Sequence, residues 1–253
     1  MRYVYGVVRA EHPPADQLKG VGRPPVEVRL VQSGPLAAAV SDVEDDFLVE
    51  ENDARAHVHV LIDLLKGGPV IPIRLGTVAP DDDAVRGEVL DTARDDLLAC
   101  VEALDGKVEL HVDVDDNEAE AIAAVAGPGP LRPGEALDVS SALELGQRVA
   151  VLLVEHRQQL ADEIIAKLRP IAIRDAPRSV IEGPEDPVLR WAFLINGNDL
   201  AIFDEAVVSL RAAYPNLVIR YVGPLPAAHF VDWRAKPEDD RVDTFQGNGS
   251  WGW

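Results

Sequence analysis

Apolar positions in the first part of the chain predict strands followed by a helix. The segment Arg2 to Val8 is apolar on both alternating faces, which is typical of a central strand. Val26 to Leu30 alternates apolar and charged residues, and Leu36 to Val40 is a short apolar run; the Ser-Gly-Pro turn between them predicts a hairpin. Apolar spacings of three and four residues then predict a helix from Glu51 to Lys66, which a Gly-Gly-Pro sequence ends.

The next segments add an edge strand and a second helix. The run Val70 to Ile73 predicts a strand, and Pro72 confines it to a sheet edge or a strand end. Three aspartates from Asp81 to Asp83 can cap a helix whose apolar stripe continues to Leu104. Strands interleaved with two amphipathic helices predict an α+β fold, with a ferredoxin-like α/β sandwich as the N-terminal domain.

The clearest alternation in the chain lies between Lys107 and Val114. One face of this predicted strand is apolar, and the other carries Glu109, His111 and Asp113. We interpret the second face as a solvent-exposed face of the sheet. Carboxylates and a histidine are ordinary on an exposed polar face, so their proximity does not by itself indicate a proton relay.

A Pro- and Gly-rich segment predicts the boundary between two domains. Residues 127–140 begin with Gly-Pro-Gly-Pro and can continue neither a helix nor a strand. We therefore expect an N-terminal domain at 1–126 and a C-terminal α+β domain at 141–234, which opens with a long helix reaching Leu168. Residues 235–253 are acidic and then rich in Gly, Asn and Ser, so we expect a disordered tail.

Composition and charge exclude several classes of protein. The chain has 253 residues, 47% of them hydrophobic, and no apolar run approaches the roughly 20 residues that a membrane helix needs. The 44 Asp and Glu against 24 Lys and Arg give a net charge of −20, which disfavours nucleic acid and anionic lipid as partners. A single cysteine, Cys100, rules out an internal disulfide and a cysteine-based zinc site. The N-terminus lacks the features of a signal peptide, so we expect a cytoplasmic protein.

The histidines give no metal or catalytic pattern. His57 and His59 are two residues apart on a predicted helix and point in opposite directions, so they cannot share an ion; we expect one flank and one surface histidine. His156 falls on the apolar stripe of the long helix, where a hydrogen-bonded core histidine is the better interpretation. Phosphate-binding loops, nucleophile elbows and zinc-protease motifs are absent from the sequence. We therefore predict no catalytic, cofactor-binding or metal-ligating residues.

Five short segments in a fixed order resemble a known family. They are Tyr3 to Val8, Pro72 to Val78, Leu104 to Glu109, Trp191 to Ile195, and Gly223 to Pro226 followed by Phe230-Val231. In this order they resemble the gas vesicle accessory proteins of the F and L type, the GvpL/GvpF family. The chain departs from the family pattern at Leu75, Leu110 and Ala228-His229, where the family commonly has Phe, Trp and an aromatic residue followed by Ser.

The resemblance implies a non-catalytic, chaperone-like accessory or minor structural component of gas vesicle assembly, without a cofactor. It implies that the protein binds the small hydrophobic shell protein and limits its aggregation during vesicle nucleation, with other gas vesicle accessory proteins as further candidate partners. The resemblance does not separate the F type from the L type. The candidate partner-binding residues within the shared segments are Arg74, Leu75, Gly76, Thr77, Val78, Tyr3, Tyr5 and Leu225.

Two other function classes stay open on the residues alone. A small-molecule-sensing module of two ferredoxin-like domains would need a crevice with convergent polar groups at the domain junction. A carboxylate-dependent hydrolase would need two carboxylates that converge in a cleft.

Overall fold

The computed structural model describes residues 1–15, 17–126, 139–179 and 186–231. Contacts between Cα atoms divide the chain into two compact units, one of Met1–Glu109 with Pro224–Trp253 and one of Leu110–Gly223. The sequence grouped residues 110–126 with the first domain instead. The Pro- and Gly-rich residues 127–138 and the tail 235–253 lie outside the described residues, so the linker and the disordered tail stay predictions.

The first unit is built on a sheet with strand β1 (Arg2–Arg9) at its centre. Antiparallel to it on one side runs β3 (Leu36–Asp42), followed outward by β2 (Arg29–Ser33). On its other side lie two short strands, β4 (Ile71–Pro72) and β5 (Val78–Ala79). Six successive residues of β1 are buried, which confirms the predicted central strand. The predicted hairpin is present, although β2 begins at Arg29, three residues after the start of the predicted strand at Val26.

The first helix has the predicted bounds to within one residue, whereas the second lacks the predicted continuity. Helix α1 (Glu51–Leu65) begins with a capping box between Glu50 and Asp53. The second predicted helix is not continuous. It consists of a short α2 (Asp82–Ala84) capped by Asp81, a π-helical segment (Val85–Asp91) and α3 (Arg94–Ala103). The interruption lies at Thr92, whose backbone N–H and Oγ both donate to the carbonyl of Gly87.

The second sheet has the strand order β7 (Arg174–Pro177), β8 (Leu189–Asn196), β6 (Lys107–Asp116) and β9 (Leu217–Leu225). Strand β6 is therefore an interior strand. Both Glu109 and His111 are buried, at 0% and 8% exposure, so the prediction of a solvent-exposed face is wrong. Within the first unit, His229 donates to Glu109 from its backbone N–H (2.9 Å), and its Nδ1 lies 2.5 Å from the other carboxylate oxygen. Alternation marks the two faces of a strand, but it does not tell which of them tertiary contacts will cover.

Three helices belong to the second unit: α4 (Glu118–Ala126), α5 (Val139–Leu168) and α6 (Leu200–Ala213). Together with the two antiparallel sheets, the long α5 confirms the predicted α+β class. The buried face of α5 is shifted by one position along the chain from the predicted apolar stripe. Arg157 is buried, whereas the neighbouring His156 is half-buried. Within the described ranges, no helix is both long and apolar enough to cross a bilayer.

Candidate partner-binding surface

The candidate segment Arg74 to Val78 forms an outward turn at the edge of the first sheet. The backbone N–H of Ile73 donates to the carbonyl of Tyr5 (2.9 Å), and the N–H of Val4 donates to the carbonyl of Thr77 (2.9 Å). The chain thus leaves β1 after β4 and rejoins it at β5. Among the described strands, β4 and β5 pair with β1 alone, which confirms the edge position that Pro72 predicted.

Three hydrogen bonds fix the shape of this turn. Both the backbone N–H and the Oγ of Thr77 donate to the carbonyl of Arg74, at 3.2 and 2.8 Å. Gly76 has φ +85°, a left-handed conformation that favours glycine. The N–H of Gly76 also donates to the Oη of Tyr3 (3.2 Å). The segment therefore has a defined conformation, and the hydrogen bond from Gly76 to the buried Tyr3 connects it to the core.

The candidate residues differ in their access to a partner. Arg74 and Val78 are exposed, and the three residues between them are half-buried. The side chains of Tyr3 and Tyr5 have no exposed surface, so they can support the segment but cannot touch a partner in this conformation. Leu225 is the last residue of β9, in the other sheet. The structure thus brings Tyr3 together with the segment and places Tyr5 behind it, with the two rings 4.9 Å apart.

A buried polar group lies directly beneath the segment. The Nδ1 atom of His57 is 2.9 Å from the Oη of Tyr3. Burial lowers the pKa of His57 to about 4, and a hydrogen bond with the backbone of Ile73 opposes that shift. Burial also raises the pKa of Tyr3. The pair is therefore a neutral imidazole and a protonated phenol, and it connects α1 with Ile73 and with Gly76 of the turn.

Two apolar residues of the surface were missed by the sequence analysis. Leu48 and Val49 precede α1 and are 79% and 40% exposed. A Cβ atom built on Gly76 would lie 3.4 Å from a methyl group of Val49, so the two segments adjoin. The available signal was an apolar Phe-Leu-Val triplet between carboxylates at 44–46 and 50–51, which no periodicity explains.

The remaining histidines occupy different environments. His59 is exposed, whereas His57 belongs to the core rather than to a helix flank, which corrects that interpretation. His156 is not a core residue, because it lines a cavity of about 240 Å³ together with Asp116 and Glu120. Both oxygens of Asp116 accept hydrogen bonds from the guanidinium of Arg157, at 2.7 and 2.6 Å.

Comparison with known proteins agrees with this architecture. The family described as gas vesicle synthesis protein GvpL/GvpF matches the chain over residues 1–232. The chain belongs to the GvpL/GvpF family. This confirms the resemblance and gives the protein a role in gas vesicles.

Members of the GvpL/GvpF family from several organisms are similar over most of their length. Gas vesicle protein F of a Streptomyces species is 34% identical over 241 residues, which cover 91% of this chain and 99% of that protein. Gas vesicle protein L of the same organism is 28% identical over 75% of this chain and 71% of its own length.

Two solved structures of GvpF proteins share the fold. The crystal structure of GvpF from an Anabaena species superposes with a TM-score of 0.78 at 19% identity, over 92% of this chain and 98% of that one. The structure of GvpF from Microcystis aeruginosa gives a TM-score of 0.75 at 17% identity, over 92% and 99% of the two chains. At this identity the likeness concerns the fold alone.

Proposed function

We propose that this protein is a non-catalytic accessory protein of gas vesicle assembly that binds the small hydrophobic shell protein. In this proposal it acts in the cytoplasm and limits the aggregation of the shell protein while vesicles nucleate. The observation that carries the proposal is the short, interrupted sheet edge formed by β4, the turn Arg74 to Val78, and β5.

The edge offers backbone groups as well as apolar side chains. Because Val4 bonds to Thr77, the antiparallel alternation directs the N–H and C=O of Val78 away from β1. A strand of a partner can add to such an edge through main-chain hydrogen bonds. The Val78 side chain is 38% exposed and can contribute apolar contact to the same partner.

The charge of the chain supports a carrier role. An apolar partner tends to self-associate, and a carrier with a net charge of −20 keeps the complex dispersed by electrostatic repulsion. A carboxylate-dependent reaction has less support. The carboxylate of Asp116, in the cavity beside His156, has both oxygens engaged by the guanidinium of Arg157.

Co-purification with the shell protein of the same gas vesicle system tests the proposal. The full chain should still retain the shell protein at 0.5 M NaCl, because apolar and main-chain contacts are little affected by ionic screening. Val78→Pro removes the outward N–H and should abolish capture. The change should leave the pairing with β1 intact, because this N–H takes no part in it. Val78→Thr keeps the N–H and should retain most of the binding.

A second readout addresses aggregation directly. Light scattering of the shell protein diluted from denaturant should fall in the presence of an equimolar amount of the full chain, and Val78→Pro should weaken this effect. Capture that vanishes at 0.5 M NaCl, or that is equal in both Val78 variants, would contradict the edge-binding proposal. Circular dichroism and thermal unfolding establish that each variant is folded.

A further inference from the structure

We propose that Leu48 and Val49 join Leu75 and Val78 in one apolar docking surface, the edge surface, for an amphipathic segment that carries Lys or Arg beside its apolar face. The inference deepens the proposed function and rests on it for the location of the partner. It adds the loop before α1 to the binding surface and states the charge of the partner segment.

Side-chain and backbone contacts connect the two parts of the edge surface. The ring of Phe47 packs edge-on against Tyr3, with centroids 5.8 Å apart. Tyr3 in turn is paired with Val78 in the sheet and accepts a hydrogen bond from Gly76. Phe47 and Leu75 are both partly buried against the same core cluster as Tyr3. Because Phe47 is anchored there, the residues that follow it emerge beside the turn.

The loop before α1 has two large apolar side chains, Leu48 and Val49, that are exposed to solvent. Leu48 is the most exposed of the large hydrophobic residues in the described part of the chain, at 79%. Its neighbour Val49 adjoins Gly76, so Leu48 lies between one residue on the core and one on the turn. A single exposed leucine needs no explanation, but exposed apolar side chains from two adjoining segments are typical of an interaction surface.

Unneutralised carboxylates beside the edge surface indicate the charge of its partner. Within the described ranges, Glu44 and Asp46 are exposed and have no cation within ion-pair distance. Asp45 is 94% exposed and contacts the terminal amine at 3.3 Å. The carboxylates that follow the triplet are paired instead, Glu50 with Arg23 and Glu51 with Arg55. The negative field is therefore concentrated on the N-terminal side of Leu48, where Lys or Arg of a partner would be attracted.

Designed peptides test the inference without the shell protein. Two strand-forming peptides of about 10 residues carry the same alternating pattern of Leu and Thr, with Lys flanks in one and Glu flanks in the other. Fluorescence anisotropy against the full chain at 50 mM NaCl should give at least tenfold tighter binding of the Lys peptide. The difference should shrink to about twofold at 0.5 M NaCl, because the Debye length is then only a few Å.

Variants locate the binding. The double variant Leu48→Ser/Val49→Ser should weaken binding of the Lys peptide at least tenfold, and Glu44→Lys/Asp46→Lys should remove the preference for Lys over Glu. The matched control is Val208→Ser on α6, which removes an apolar side chain of 62% exposure in the second unit and should leave binding unchanged. Thermal unfolding checks that each variant is folded.

The outcomes separate this inference from the proposed function. Equal binding of both peptides, or binding that survives Leu48→Ser/Val49→Ser, overturns the inference. If shell-protein capture depends on Val78→Pro but not on the Leu48/Val49 variant, the proposed function stands and the inference is wrong. If the Lys peptide binds as described but no shell protein is captured, the surface is confirmed and the proposed function fails.

Discussion

His57 and Tyr3 form a buried hydrogen bond of 2.9 Å between Nδ1 and Oη. The N–H of Gly76 donates to the same hydroxyl oxygen, at 3.2 Å. A single hydroxyl group thus joins helix α1, strand β1 and the partner-binding turn.

Acidification should destabilise the protein through His57. Its pKa is about 4 in the fold and 6.5 in an unfolded chain, so between these values the unfolded state binds the extra proton. The free energy of unfolding should therefore fall as the pH falls from 6.5 to 4, by at most about 3 kcal/mol from this group. His57→Asn keeps an acceptor for Tyr3 and should remove that contribution. Urea unfolding at half-unit pH steps measures the difference.

His59→Gln is the matched control for this pH dependence, because it removes an exposed histidine from the same helix. The control should show the pH profile of the unmodified chain. A His57→Asn profile that runs parallel to that of the unmodified chain would mean that His57 is not the titrating group.

Tyr3→Phe should weaken both the fold and partner binding. The change removes the acceptor of the Gly76 N–H and the hydrogen-bond partner of His57 Nδ1, and should cost about 1–3 kcal/mol of the free energy of unfolding. Tyr5→Phe removes contacts to Ser41 (2.7 Å) and to the N–H of Val21 (2.8 Å), and should cost a similar amount. Only Tyr3→Phe should lower capture of the shell protein, because only Tyr3 bonds to the turn. Equal capture by both variants would argue against this positioning role.

Two Gly→Ala changes should have opposite effects on stability. A Cβ on Gly6 would lie 2.8 Å from the carbonyl oxygen of Ile71 and 2.9 Å from a methyl group of Val70, so Gly6→Ala must push β4 away from β1. We expect a loss of about 1–3 kcal/mol. Gly146 lies inside α5 with no described atom within 4 Å of its Cβ position, and Gly146→Ala should add about 0.5–1 kcal/mol. Denaturant midpoints measure both, and a stable Gly6→Ala variant would show that β4 can shift at little cost.

The buried Arg157–Asp116 pair should be costly to break but replaceable. Both side chains are less than a tenth exposed, and Arg157 also donates to the carbonyl of Asp186 (3.0 Å). Asp116→Ala leaves a buried guanidinium without its carboxylate and should cost about 3–5 kcal/mol. The double variant Asp116→Leu/Arg157→Met should recover most of that loss in urea unfolding. A double variant no more stable than Asp116→Ala would indicate that the pair is needed for packing at this position.

Local chemistry determined much of the first unit. The apolar run of β1, the cap at Asp81 and the edge position of Pro72 follow from properties of a few neighbouring residues, and the structure has all three where the sequence predicted. Such signals are readable because strand burial, helix capping and the missing N–H of proline act within a few positions along the chain.

Long-range contacts decided the rest. The sequence pattern assigned Glu109 and His111 to a solvent-exposed face, and it placed Arg157 outside the apolar stripe of its helix. All three residues are buried. For Glu109 the partner is His229, 120 residues away, and for Arg157 it is Asp116, 41 residues away. Leu48 shows the reverse case, since this apolar side chain is exposed because none of the described segments covers it. Burial depends on which segments meet in three dimensions, and periodicity along one segment carries no information about the segment that covers it.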